Sequence, residues 1–164
     1  MTDKQAPASR RPIQGVTAVV AAAFLLVGVL GFIPGITTHY GELTFAGPHS
    51  GARLFGVFGV SALHNIVHLL FGIVGLAATR RSGSARAFLM IGGLVYLLLW
   101  VYGAATDDHS QADFVPLDHA DDWLHFGLGA GMIVLGVLLT ALERARGQYP
   151  PTRRHVGNPQ DSHG

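Results

Sequence analysis

The sequence predicts an all-α integral membrane protein, a four-helix bundle with both termini cytoplasmic. Three observations carry that expectation. About half of the 164 residues are apolar and only 13% are charged, well below the roughly 25% typical of soluble domains. Four apolar stretches, at about 13–33, 54–79, 87–105 and 123–142, each reach the ~20 residues needed to cross ~30 Å of hydrocarbon. Lipid offers the backbone no hydrogen-bond partners, so each stretch should be helical. Finally, ten of the eleven Lys and Arg residues fall on one side of the resulting topology, and only Arg53 falls on the other. By the positive-inside rule that side is the cytoplasm.

Residues 1–12 are polar, with Lys4, Arg10 and Arg11 before the first span, and lack any apolar period, so they are expected to be disordered. The first span could be a cleaved leader. It is too long for one, however, and Phe32-Ile-Pro-Gly has no small-x-small cleavage pattern, so a true span is expected. The loop that follows contains Thr-His-Tyr-Gly-Glu-Leu-Thr-Phe, whose alternation suits a short extended element. The second span ends in Arg80-Arg-Ser-Gly-Ser-Ala-Arg86, a short turn that should make the second and third helices antiparallel neighbours. The loop after the third span is acidic, with Asp107, Asp108, His109, Asp113, Asp118 and His119, and leads into Asp121 and Asp122. Those last acids suit the first turn of a helix, whose dipole favours negative charge, and the loop as a whole offers oxygen and nitrogen ligands for a divalent ion. Trp123 reads as an interfacial anchor. Residues 143–164 are expected to form a disordered cytoplasmic tail.

Glycines at packing spacing are frequent: Gly28 and Gly31, Gly72 and Gly75, and Gly127-x-x-x-Gly131. Small residues let helices approach closely in lipid. Tight packing within one bundle is the simpler reading, and a homo-oligomer face is the other.

The second span carries the polarity. Ser61, His64, Asn65 and His68 fall at i, i+3, i+4 and i+7, so they share one helix face. Polar groups at membrane depth face the bundle interior and find named partners. At ~1.5 Å per residue from Arg80, His64 lies about 24 Å and His68 about 18 Å from the cytoplasmic boundary; His125, measured from Glu143, lies at about 27 Å. His64 and His125 should therefore meet, with Tyr96, Trp100, Tyr102, Asp121 and Asp122 as neighbours, and the stripe should face the third and fourth helices. Two readings follow. The cluster is an interhelical hydrogen-bond network that fixes register, or its imidazoles handle protons or bind a metal ion or haem through His64, His68 and His125. No Glu follows His64, so the zinc-protease pattern is absent. Diiron oxidases need more histidines than these. A transporter reading lacks inverted repeats and proline-broken helices.

The chain contains no cysteine, which excludes thiol chemistry and thiolate metal sites. No basic groove with interleaved aromatics is present, so the expected partner is the lipid bilayer and not nucleic acid. The segments FIPGITTHYGELTFAG, LFGVFGVSALHNIVHLLFGIVGLAA, YLLLWVYG and ADFVPLDHADDWLHFGLGAGMIVLG together resemble the domain of unknown function 4383 family, small four-span bacterial membrane proteins, over about 13–142. Asp113 stands where that resemblance would place Asn. It implies a multi-pass topology and the plasma membrane, and it assigns no activity, so the expected protein is a noncatalytic membrane component that needs no cofactor.

Overall fold

A computed structural model describes residues 11–47, 50–105 and 119–147. It is mostly helical: α1 Pro12–Leu30, α2 Ala62–Ala78, α3 Ser82–Ala105 and α4 His119–Ala145. Between α1 and α2 lie a 3-10 turn at Tyr40–Glu42 and three two-residue strands, β1 Thr37–Thr38, β2 Arg53–Leu54 and β3 Phe58–Gly59. The expected disorder of residues 1–10 and of the tail from 148 onward, and the acids at 107, 108, 113 and 118, lie outside the described residues.

The helix limits follow from local chemistry. Pro12 occupies the first turn of α1, where its missing N–H is not needed, and Gln14 Oε1 accepts the Arg11 N–H at 2.8 Å. Residues 11 and 12 thus belong to the helix and its cap, not to a polar leader. At the other end of the chain α4 runs to Ala145, past the expected boundary at 142.

The second span needs the larger correction. Helix α2 does not begin near Leu54. Ser61 is its N-cap, with Oγ accepting the His64 N–H at 3.1 Å, and residues 54–60 fold back as a hairpin. Leu54 pairs with Phe58, Arg53 with Gly59, and β1 adds to the other edge of β2 in the order β1-β2-β3, all antiparallel. Gly56 at φ +74° makes the turn, a conformation glycine adopts without steric cost. A short apolar run of Leu, Phe, Gly and Val reads equally well as buried strand or helix, so hydropathy alone could not place this boundary. The extended element expected at 38–45 is only partly present: Thr38 belongs to the strand Thr37–Thr38, and Tyr40–Glu42 coils.

Helices α1, α3 and α4 are long and apolar enough to cross a membrane, whereas α2 is shorter, at 17 residues, or about 25 Å. The closest pairings are α1 with α2 and α3 with α4; α2 and α3 follow each other in sequence but pack lightly. Glycine sets both seams. A methyl on Gly72 would meet the Ala21 carbonyl at 2.9 Å, and one on Gly93 or Gly129 would meet the other's carbonyl at 2.8 Å. Gly127 and Gly131, by contrast, face open space, so the small-residue pair expected to pack α4 inside the bundle is displaced by Gly129. Phe24, Phe88, Leu89, Tyr96 and Met132 form the core with Phe71 and Val20 against it, while Ala52, Leu54 and Val60 seat the sheet on Val27 and Leu30 of α1. Outward, the helices expose Val19, Leu70, Leu98 and Val134.

Candidate functional site: a histidine and asparagine cluster

The cluster is assembled by the helix period. Residues 64 and 68 are about one turn apart on α2, and 68 lies between 64 and 65 in angle, so all three side chains fall within about a third of the circumference. The His64 and His68 rings are edge to face with centroids 4.4 Å apart, and His125 of α4 brings its ring to 6.4 Å from His64. Tyr96 of α3 lies 5.2 Å from His125, and Phe24 of α1 lies 5.7 Å from His68. All four helices therefore contribute to one site. His68, Asn65, His125 and Tyr96 are buried, and His64 is half-buried toward the end that carries the sheet.

The stripe faces two ways. His64 turns to α4, but Asn65 turns to α1, where a methyl on Gly31 would run into its amide. His68 also reaches α1 through Phe24. The expectation of a face directed at α3 and α4 thus holds for His64 and not for Asn65, because the tight glycine seam draws α1 against that side of α2.

The remaining expected neighbours divide. Ser61 is buried, but its hydroxyl serves as the α2 cap. Asp121 Oδ2 accepts the Gly59 N–H at 3.0 Å, tying β3 to the first turn of α4. The Asp122 carboxylate lies against Gly103 of α3. Trp100 packs at a tilt against Phe126 with centroids 4.9 Å apart, and Phe126 meets Trp123 at 5.9 Å, so Trp100 joins a surface aromatic group instead of the histidines. Tyr102, half-buried, stands six residues beyond Tyr96, about 9 Å further along α3.

Four buried polar atoms at this site have no hydrogen-bond partner: both amide atoms of Asn65 and Nδ1 of His68 and of His125. Buried polar groups are ordinarily satisfied, by protein or by water. On the side away from the sheet, Phe24, Phe71, Phe88, Leu89 and Met132 close beneath the cluster. The result is a polar site with an apolar floor.

Among the described residues, no group of three or more His, Asp or Glu side chains is placed to hold a metal ion. The three histidines are neighbours without forming such a group. A bis-histidine haem would need a flat macrocycle between one ligand from α2 and one from α4. The rings of Phe24, Phe71 and Tyr96, mutually 4.8 to 5.5 Å apart, crowd the ground next to His68 and His125.

A second polar group escaped the sequence reading. Arg86 of α3 donates to Thr140 Oγ1 at 2.6 Å and to Glu143 Oε2 at 3.1 Å on α4, and Glu143 is 1% exposed. Basic and acidic residues at span ends read as solvated boundary charges; their pairing across helices depends on a crossing geometry that no local pattern encodes.

Compared with known proteins, the chain matches over residues 14–138 the model of the family described as Domain of unknown function (DUF4383). No curated protein and no solved structure matches it.

Proposed function

The chain belongs to the DUF4383 family, and on that premise we propose that it is a noncatalytic, four-span component of the bacterial plasma membrane with both termini and the α2–α3 turn in the cytoplasm. The observation that carries the reading is the inverted distribution of polarity. Asn65, His68 and His125 are buried among the helices while Val19, Leu70, Leu98 and Val134 point outward. That arrangement is favourable in lipid and costly in water. The placement of ten of eleven basic residues supports the orientation,. Helix α2, at 17 residues, falls furthest short of ~30 Å, and the sheet that precedes it supplies the remaining depth.

The cluster serves first as a polar core that fixes how α2 and α4 meet. Its unpartnered atoms favour a second role, holding water or a proton between helices, with His64 as the opening. The apolar floor beneath His68 argues against passage of a solute through the bundle, so a transporter is disfavoured. Gly127 and Gly131, open on the α4 surface, are where a second copy would pack if the protein associates with itself.

The test is an absorption spectrum with metal analysis on detergent-purified protein. No Soret band and no stoichiometric metal is the expected result. Either signal, lost in His64→Gln or His125→Gln, would replace the structural reading with a ligand site.

A further inference from the structure

The β2–β3 hairpin carries an unusual tip. Phe55 sits at φ +54° and Gly56 at φ +74°, the left-handed pair of a tight hairpin turn whose first position ordinarily takes Asn, Asp or Gly. A bulky side chain there is a genuine outlier. The backbone is held by Phe55 N–H to Ile36 O at 3.0 Å and Val57 N–H to Leu54 O at 3.1 Å, yet among the described residues the Phe55 side chain is left 58% exposed, beside the exposed Val57 and with Phe45 exposed in the same loop region. A strained aromatic left more than half exposed among the described residues is explained by something outside them that holds it.

Its height identifies what that is. Asp121, in the first turn of α4, binds Gly59 of β3, so the sheet lies alongside the opening turn of α4. That turn also carries Trp123, an exposed indole of the kind that marks a membrane–water interface. Helix α1 has ended and α2 has not begun at this level, whereas α3 and α4, at 24 and 27 residues, reach it with their end turns, α3 closing at Ala105 and α4 opening at His119. The sheet thus occupies a depth that the two longer helices show to be still at the bilayer edge. Arg53, the sole Lys or Arg on this side in the sequence, lies next to the tip, with its guanidinium on the Val57 carbonyl at 3.1 Å. A cation just behind an apolar tip is complementary to phosphate headgroups over acyl chains.

We propose that the Phe55–Val57 tip inserts into the headgroup and acyl boundary of the outer leaflet, so that the hairpin completes in the interface the span that the short α2 leaves unfinished. The inference rests on the membrane reading above. It makes the sheet a lipid-contacting element that holds the mouth of the histidine cluster at a fixed depth.

Because the chain contains no cysteine, single nitroxide labels can be placed cleanly at Phe55→Cys and, independently, Val57→Cys in the full chain. The protein is reconstituted in vesicles of phosphatidylethanolamine and phosphatidylglycerol. Collision with oxygen, which concentrates in the acyl region, is compared with collision with a water-soluble nickel chelate. Labels at 55 and 57 should favour oxygen, as a label at Val134→Cys does on the exposed face of α4, whereas Gly41→Cys on the 3-10 turn should favour the chelate. Chelate-dominated collisions at 55 and 57 with oxygen-dominated collisions at 134 overturn the proposal and leave the membrane reading standing. Chelate dominance at 134 as well removes both. Spin–spin broadening at 55 that disappears on dilution with unlabelled protein shows a second copy covering the tip and overturns the lipid assignment.

Discussion

At the scale of single residues, the sharpest constraint is the meeting of Gly31 and Asn65. A methyl at 31 would enter the space of the Asn65 amide, and overpacking of this kind costs typically about 1–3 kcal/mol. Gly31→Ala should therefore destabilise the protein by that amount in reversible detergent unfolding, and adding Asn65→Ser should restore much of it. A double-mutant cycle checks the pair, which is expected to couple by about 0.5–3 kcal/mol; additive effects would mean that the two residues do not touch. His68 gives the complementary expectation. Gln keeps hydrogen-bonding capacity, and interhelical hydrogen bonds in membranes average about 0.6 kcal/mol, so His68→Gln should shift the same unfolding transition by less than about 1 kcal/mol. A loss several times larger would mean that the imidazole does something that an amide cannot replace. The spacing of residues 64, 65 and 68 was legible in the sequence, and matched depth brought His125 to His64. That Asn65 would turn to α1 was not, because it depends on how deeply the glycine seam lets two backbones approach.

At the scale of elements, the two helical pairs are fastened differently. Helices α1 and α2 are joined by close packing along Gly28, Gly72 and Gly75, and α3 and α4 by the Gly93–Gly129 crossing plus the ion pair of Arg86 with Glu143. The carboxylate is buried, with Oε1 unpartnered, so Arg86 is its compensating charge. Removing one member of a buried pair leaves an uncompensated charge and costs about 3–5 kcal/mol, while replacing both with apolar side chains is often neutral. Arg86→Met should accordingly destabilise α3–α4 strongly in the unfolding assay, and Arg86→Met with Glu143→Leu should recover most of the loss. A double variant no better than the single would mean that the pair is not a closed unit. The elements themselves were largely readable: hydropathy located all four helices, but Pro12, read as part of a polar leader, opens α1, and α3 starts at Ser82, so that most of the turn expected over Arg80–Arg86 is helix. The β hairpin at 53–59 was missed because an apolar run with two glycines satisfies the length rule for a span as well as the pattern for a strand. Ser61, counted among the polar face, was in fact the N-cap signal that marks the true start of α2.

For the molecule as a whole, orientation decides the meaning of every depth. The end with the α2–α3 turn gathers Arg11, Arg80, Arg81, Arg86, Arg144 and Arg146, and the sheet end holds Arg53 with Glu42, Asp121 and Asp122. An excess of Lys and Arg in short loops is retained on the cytoplasmic side, whereas acids bias topology little, so the basic end should be inside and the half-buried His64 should open outward. Labelling with a membrane-impermeant maleimide checks this on a chain that supplies no competing thiol. Ser84→Cys is exposed near the start of α3 and avoids Ser82, whose Oγ accepts from Arg11 at 3.3 Å; Gly41→Cys is exposed at the opposite end. In intact cells the label at 41 should react and the label at 84 should not, and permeabilisation should make 84 react as well. The reverse pattern would turn the bundle over: the histidine cluster would open to the cytoplasm, and the Phe55 tip would rest in the inner leaflet, where anionic lipid would meet Arg53.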